Sequence, residues 1–465
     1  MAKIIISRDK LLFVLWGLIL CFAFLSSAPV NPEARAGLVD AGYNLFRRYG
    51  FGIIATWDIL LFGTFFSLIY RNSFIARPLN LLNRTFNNPI INVYFILLTV
   101  SIVVGLIVIL FSQVHVFVIR DWFRAVLPIL YLLMTYFIVV NIIKSRESVF
   151  QAWQIFELIA AAMVGYGFIR LIFILNGQIQ VLTPWGIPII LYSELVWFNL
   201  PINFYLLKIS LGERIGVFCW FLLLCMVVFI LISTRRMNYI LLVLNPLIVF
   251  IIARKSGLVT LGKVAYKMKL FFVIFFLVGF GLTMAIPDLF DAILVSIQTI
   301  NVFSEGGGEY TGEFRLVQFE NIISNLTSMP ITWLTGFGIG TKWYVFQALP
   351  TTIDSIGSFM AYDAKVLSAG SDWLPFFHIN FISSLFRFGL IGMFTLFVIV
   401  VLLYRHYTRY IRSVKDKNDQ ILLASLSGLV LMPIRMLGDQ PSPEPFISLA
   451  INLGLLESYR LATST

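Results

Sequence analysis

The sequence predicts an all-α, polytopic membrane protein of about twelve transmembrane helices, with one large loop between the ninth and the tenth. Three observations carry this. The chain is 59% hydrophobic and 12% charged, whereas a soluble domain is roughly 45–50% apolar and 25% charged. Its mean hydropathy is +0.92. The apolar residues fall in blocks of about 20, the length a helix needs to cross the hydrocarbon layer. The basic residues separate those blocks instead of lining one soluble face, so the net charge of +11 does not indicate nucleic-acid binding.

Lys3, Arg8 and Lys10 precede the first apolar run. Ser26-Ser27-Ala28 mimics a signal-peptide cleavage site, but the run is long for a signal segment and reads as a retained first helix. The expected spans are Leu11–Val30, Phe51–Tyr70, Ile90–Ser112, Ala125–Ile143, Gln151–Asn176, Ile189–Leu207, Ile215–Ser233, Met237–Ala253, Leu270–Pro287, His378–Tyr404, Gln420–Gly438 and Pro445–Tyr459. The last is short for a full crossing. The chain divides into residues 1–287 (helices one to nine), 288–377 (the loop) and 378–465 (helices ten to twelve). Cys21, Cys219 and Cys225 all lie in apolar spans and read as small buried side chains. With the N-terminus inside, inner segments hold 21 of the 34 Lys and Arg, outer segments 11, and two lie within spans. That bias places both termini in the cytoplasm and the loop outside.

The loop is acidic, with nine carboxylates against Arg315, Lys342 and Lys365, and is long enough to expect a small folded cap. One helix is readable in it, from Gly312 to Met329, stopped by Pro330. Leu316, Phe319, Ile323 and Leu326 form its apolar stripe, Gln318, Asn321 and Asn325 lie opposite, and Arg315 sits on the stripe's edge. Arg315 is either a ligand for a buried anion or a salt-bridge partner of Glu309 or Glu313. Gly336, Gly338 and Gly340 then alternate, a pattern that lets backbone approach a ligand closely and offers its N–H groups. It follows no strand and is not a dinucleotide fingerprint. His378 opens the tenth span at the outer boundary, as a proton acceptor or as an interfacial histidine. Three scattered histidines and no Cys/His cluster argue against a transition-metal site.

The outer charges are mostly arginines near the membrane: Arg47, Arg48, Arg120, Arg124, Arg235, Arg236, Arg315 and Arg435. Arg170 and Arg387 lie within the outer halves of their spans. A charge at a helix centre costs at least ~2.5 kcal/mol and usually faces a partner or a wet cavity. Snorkelling to lipid phosphate is the alternative, awkward only for the two deep arginines. Arginine rather than lysine forks onto phosphate oxygens, so the set points to an anion site on the outer side.

Glu313-Phe314-Arg315 through Gly340-Thr341, followed by His378-Ile379-Asn380 and Phe388-Gly389-Leu390-Ile391-Gly392, resembles the O-antigen ligase/polymerase superfamily of bacterial envelope glycan enzymes. Ser233-Thr234-Arg235-Arg236 resembles that superfamily's Ser-Arg element, and Arg120-Asp121-Trp122 sits where such enzymes often carry arginine. The resemblance covers about 80 residues closely. It implies a GT-C-like membrane fold in the bacterial inner membrane and a metal-independent glycosyltransferase without a cofactor. The implied donor is an undecaprenyl-diphosphate-linked glycan and the acceptor a sugar hydroxyl; a chain-length regulator protein and membrane lipids are the implied partners. Arg120, Arg170, Arg235, Arg236 and Arg387, with Gly336, Gly338 and Gly340, would hold the diphosphate; Arg315 would act on the leaving group, and His378 or Glu320 would take the acceptor proton. The histidine and asparagine are separated by one residue here, and no glycine follows Arg235. These departures, with the acidic loop, favour a repeat-unit polymerase over a ligase that transfers glycan to lipid A-core. A lipid-linked glycan or anion transporter is a further alternative, against which the long loop and the lack of visible repeats speak. A metal-dependent oligosaccharyltransferase ranks low, because the segment 31–50 holds Glu33 and Asp40 with no Asp-x-Asp pair.

Overall fold

The computed structural model describes residues 56–74, 83–111, 119–176, 197–232, 236–260, 310–347, 380–436 and 443–463, with isolated positions between 262 and 284 and at 373–374. Twelve helices are named here: α1 (Thr56–Phe74), α2 (Pro89–Phe111), α3 (Ile119–Ile142), α4 (Arg146–Leu175), α5 (Asn199–Ser210), α6 (Val217–Ile232), α7 (Arg236–Lys255), α8 (Tyr310–Ser328), α9 (Thr332–Thr335), α10 (Asn380–Ser413), α11 (Lys417–Met436) and α12 (Pro443–Thr463). Two short strands, β1 (Trp343–Tyr344) and β2 (Trp373–Leu374), pair antiparallel.

Local chemistry sets several boundaries. Pro89 opens α2 at the position where a missing N–H costs nothing, and Asn88 Oδ1 accepts the Ile90 N–H at 3.0 Å. Ser145 caps α4 reciprocally with Ser148. Pro128 and Pro246 sit inside α3 and α7, tolerated where neighbouring helices hold the backbone.

Four helical stretches are long and apolar enough to cross a membrane: Pro89–Phe111, Ala125–Ile142, Arg146–Ile174 and Phe381–Ser413. The protein is therefore an all-α, membrane-embedded bundle. Described helices overlie the second to eighth and the tenth to twelfth expected spans. Leu11–Val30 lies outside the described residues, as does most of Leu270–Pro287, where residues 276–281 are helical. Of Ile189–Leu207, only the part from Asn199 belongs to a described helix.

α11 is the centre. Every residue from Ile421 to Met432 is buried, and α5, α7, α10 and α12 pack around it. Small residues permit the approach: a Cβ on Gly428 would lie 2.4 Å from Val249 Cγ2 of α7. Ser425 and Ser427 return their hydroxyls to the carbonyls of Ile421 and Leu423, so neither of these two hydroxyls is left unsatisfied in the apolar interior. α12 packs against α3, where a Cβ on Gly454 would lie 2.7 Å from Val139 Cγ1. On the perimeter, α2 exposes Val93, Ile96, Val100 and Val103, and α10 exposes Leu390, Phe394, Phe397 and Val401. These are stripes suited to lipid.

The bundle has two chemically different ends. At one end Arg84 donates to the Val140 and Ile143 carbonyls, Arg146 bridges Asp416 and Asp419, Lys208 and Lys417 flank Glu213, and Arg412 donates to the Lys255 carbonyl. This end gathers charges the sequence reading placed inside. The opposite end holds the C-terminal halves of α2, α4 and α6 and the beginnings of α3 and α10, joined by the glycine segment after α9 and by Gly167, whose added Cβ would lie 2.8 Å from Phe229 Cζ.

Three helix expectations change. α10 continues nine residues past Tyr404 to Ser413, since Arg405–Arg412 contains no breaker. α12 spans 21 residues, not the short Pro445–Tyr459. The loop helix falls where expected, at Tyr310–Ser328, but its polar side is not its wet side. Gln318, Asn321 and Asn325 are buried while Leu316 is exposed.

Candidate functional site

The reason for that inversion lies in the loop. Asn321 and Asn325, four residues apart on one face of α8, act together as a surrogate strand edge. Asn325 donates to the Tyr344 carbonyl and accepts the Tyr344 N–H, at 2.7 and 2.8 Å. Asn321 donates to the Gln347 carbonyl at 3.0 Å and accepts the N–H groups of Phe346 and Gln347 at 2.5 and 2.7 Å. Residues 343–347 are thus clamped on α8 through side-chain amides, and Ile322, Leu326, Trp343 and Phe386 close an apolar cluster beneath them.

The glycine segment docks on helices. Gly389 interrupts α10 with φ 63° and ψ −175°, a region open to glycine. The interruption releases the Phe386 and Arg387 carbonyls from the helical ladder. Phe337 N–H donates to the first at 2.7 Å and Gly338 N–H to the second at 3.0 Å, while Ile339 N–H reaches the Ser101 carbonyl of α2 at 2.8 Å. Ser101 Oγ also donates to the Arg387 carbonyl, at 3.1 Å. Gly336, Gly338 and Gly340 all have positive φ. A Cβ on Gly336 would lie 2.5 Å from the Arg387 carbonyl, one on Gly338 2.1 Å from Gly105 N, and one on Gly340 2.4 Å from Trp122 Cδ1. The alternate glycines were expected to bring free N–H groups to a ligand. They do permit close backbone approach, but the partners are α2 and α10, and the N–H groups of Phe337, Gly338 and Ile339 are occupied.

Of the arginines expected to hold the diphosphate, Arg170 and Arg387 have described side chains and both are buried. Arg387 sits two residues before the α10 break, its carbonyl fixed by Gly338 and Ser101. Arg170, on α4, is 0% exposed. Among the described residues its Nε and Nη1 have no hydrogen-bond partner. Arg120 lies in the first turn of α3, Arg236 opens α7 and Arg315 lies in the second turn of α8; nothing is described of their side chains. Arg235 and His378 fall outside the described residues. Glu320 is exposed on α8. Arg387 is therefore joined directly to the glycine segment. α4 packs on α5, α6 and α12, and α10 on α2, α7, α8, α9 and α11, so Arg170 and Arg387 share an end of the bundle and have different principal neighbours. Among the described residues no group of three His, Cys, Asp or Glu is arranged to hold a metal ion.

Two buried acidic centres were not anticipated from sequence. Glu457 of α12 is 1% exposed and accepts from Asn88, Tyr407 and Arg460 at 2.7, 2.8 and 2.8 Å. Asp419 of α11 is equally buried, held by Arg146 at 2.6 Å and by the Tyr459 hydroxyl. Asp416, in the α10–α11 connection, feels desolvation that pushes its carboxyl up, but the Arg146 hydrogen bond and the N–H groups of Asn418 and Asp419 outweigh it and hold the carboxyl below its usual value. The sequence signal was available: a Glu or Asp inside an apolar span is seldom left without a partner.

These features define a membrane-embedded, all-α protein with an ion-paired end, an opposite end carrying buried arginine, and a small cap stapled to the helices by glycine. Comparison with family models, with curated proteins and with solved structures finds no match.

Proposed function

We propose that this chain is a polysaccharide polymerase of the O-antigen ligase/polymerase superfamily, joining undecaprenyl-diphosphate-linked repeat units at the outer face of a bacterial inner membrane, with both termini cytoplasmic. The observation that carries the proposal is Arg170: a guanidinium wholly buried in an apolar bundle, with two nitrogens unpartnered among the described residues. A buried cation in low dielectric calls for an anion. A diphosphate tethered to a polyprenyl chain is an anion that reaches such depth from the bilayer.

In the reaction an acceptor sugar hydroxyl attacks the anomeric carbon of the donor. The bond from that carbon to the diphosphate oxygen breaks, and undecaprenyl diphosphate leaves with the bonding pair. Arg170 and Arg387, with Arg120, Arg235, Arg236 and Arg315, stabilise the growing negative charge. His378 or Glu320 accepts the hydroxyl proton. The glycine staple orients the Arg387 turn against the cap, and a chain-length regulator protein is the expected partner.

The test is the surface glycan profile of a strain lacking the protein. A polymerase deficit leaves single repeat units attached to the core, and Arg315→Ala reproduces that profile at normal protein abundance. Long polymer stranded on the lipid carrier would assign the ligase reaction instead, and an unchanged profile would remove glycan transfer altogether.

A further inference from the structure

The ion-paired end contains a cleft of about 1100 Å³ between α4, α10, α11 and α12, reaching Ile90 at the start of α2. That is just above the usual size of small-molecule sites, roughly 300–1,000 Å³. Its carboxylates, Asp416 and Asp419, are taken by Arg146. Arg405, Arg409 and Lys415 also line it, and among the described residues they have no counter-charge. One further donor is starved of an acceptor there: Arg460 Nη2 is buried with no hydrogen-bond partner among the described residues, and the buried ring nitrogen His406 Nε2 beside it has none either. The unexpected extension of α10 to Ser413 creates this arrangement, because Arg405 and Arg409 stand one helical turn apart on a rigid helix.

We propose that this cleft binds the phosphate headgroup of an anionic phospholipid from the leaflet at this end. Three unpaired cations and the unsatisfied Arg460 guanidinium donor match a phosphate diester. A membrane source is favoured over free phosphate because the cleft is bounded by Ile90 and Leu402, the latter 42% exposed. Above them Val93 and Ile96 of α2 and Phe394, Phe397 and Val401 of α10 continue an exposed apolar path on two helices packed together. Acyl chains lie along that path while the headgroup sits among the arginines. The proposal is independent of glycosyl transfer at the opposite end.

The test is lipid retention by the purified full chain, read by native mass spectrometry after exposure to phosphatidylglycerol, to phosphatidylcholine, or to phosphatidylglycerol with inorganic phosphate. Wild-type protein is expected to retain phosphatidylglycerol, not phosphatidylcholine, and inorganic phosphate should not displace it. Each cation beside an anionic leaflet strengthens binding roughly fivefold, so the double variant Arg405→Gln/Arg409→Gln should bind about twenty-five-fold more weakly. Both side chains are exposed, so the fold should tolerate the change. Leu402→Glu, which leaves the cations intact and sets a carboxylate at the mouth, should give a comparable loss. Equal retention of the zwitterionic lipid, or undiminished binding by both variants, would overturn the proposal. Displacement by inorganic phosphate would assign the cleft to free phosphate and overturn the lipid source.

Discussion

Replacing Gly338 by alanine tests the glycine staple most directly. The residue has φ +85°, which costs a side-chain-bearing residue about 1–2 kcal/mol. Its new Cβ would lie 2.1 Å from Gly105 N, 2.4 Å from Gly105 Cα and 2.6 Å from the Ser101 carbonyl oxygen. Carbon contacts settle near 3.5–4.0 Å, so the segment must retreat by roughly 1 Å or more. All three clashing atoms are backbone of α2 and cannot rotate away. Retreat stretches Gly338 N–H to Arg387 O, at 3.0 Å, and Ile339 N–H to Ser101 O, at 2.8 Å. Leaving buried peptide groups unpaired costs about 1–3 kcal/mol each. The expected destabilisation is about 3–5 kcal/mol, measured by thermal or denaturant unfolding in detergent. Gly212→Ala is the control, because Gly212 has φ +79° with nothing within 4 Å of the added Cβ, and should lose only the conformational term, about 1 kcal/mol. Gly105→Ala gives the opposite-sign check. Helix propensity alone would stabilise it by about 1 kcal/mol, yet its Cβ would meet Ile339 O at 2.1 Å, so destabilisation is expected. A Gly338→Ala protein within about 1 kcal/mol of Gly212→Ala, or a stabilised Gly105→Ala protein, would refute the staple.

Asn321→Ala strands the Phe346 and Gln347 N–H groups and should weaken the cap by about 2–4 kcal/mol, seen as faster proteolysis within residues 343–347; unchanged protection would count against the clamp. Glu457→Ala leaves Arg460 without its buried partner and should cost about 3 kcal/mol or more in detergent unfolding, whereas wild-type stability would mean the network contributes little. Arg170→Ala should fold at least as stably as wild type, since an uncompensated charge is removed, while glycan transfer falls about 100-fold or more; lost stability with transfer intact would make Arg170 structural. Because the Asp416 carboxyl is held below its usual value, its ion pair stabilises the fold above the unfolded carboxyl value near ~3.9 and weakens as pH falls through the lower folded value. Asp416→Asn should flatten acid unfolding in that range, and an unchanged acid limb would show the pair to be inert.

What the sequence made legible depended on whether one period or one residue type decided the outcome. Apolar runs such as 90–111 and 125–142 admit one reading, because lipid selects length and hydropathy together. The loop helix was found from its 3.6-residue period, but the same rule assigned Asn321 and Asn325 to solvent. An amide is polar to a periodicity count, yet it carries both a donor and an acceptor and can replace a strand. Gly336, Gly338 and Gly340 correctly signalled close backbone approach, while the identity of the approaching group was set by Gly389, about fifty residues away. Nothing local marks Gly389 as a break within an otherwise helical run. Arg170 and Arg387, singled out as charges within apolar spans, are both buried in the protein; whether they meet depends on helix order in the bundle, which no single span encodes. The buried carboxylates were overlooked because their partners lie up to 369 residues distant, as with Asn88 and Glu457.

That separation has a consequence for biosynthesis. During translation Asn88 emerges from the ribosome 369 residues ahead of the carboxylate that accepts its hydrogen bond. During that interval the amide at the start of α2 must be served by water, headgroups or a helper in the membrane, because hydrocarbon offers no acceptor. α12 also supplies the face against which α3 packs. A ribosome stalled before Pro443 would therefore hold a set of inserted helices that are each acceptable to the translocon and still incomplete as a bundle. Inserting that helix is the step that brings Glu457 to Asn88 and Tyr407 and so completes the polar network at the ion-paired end.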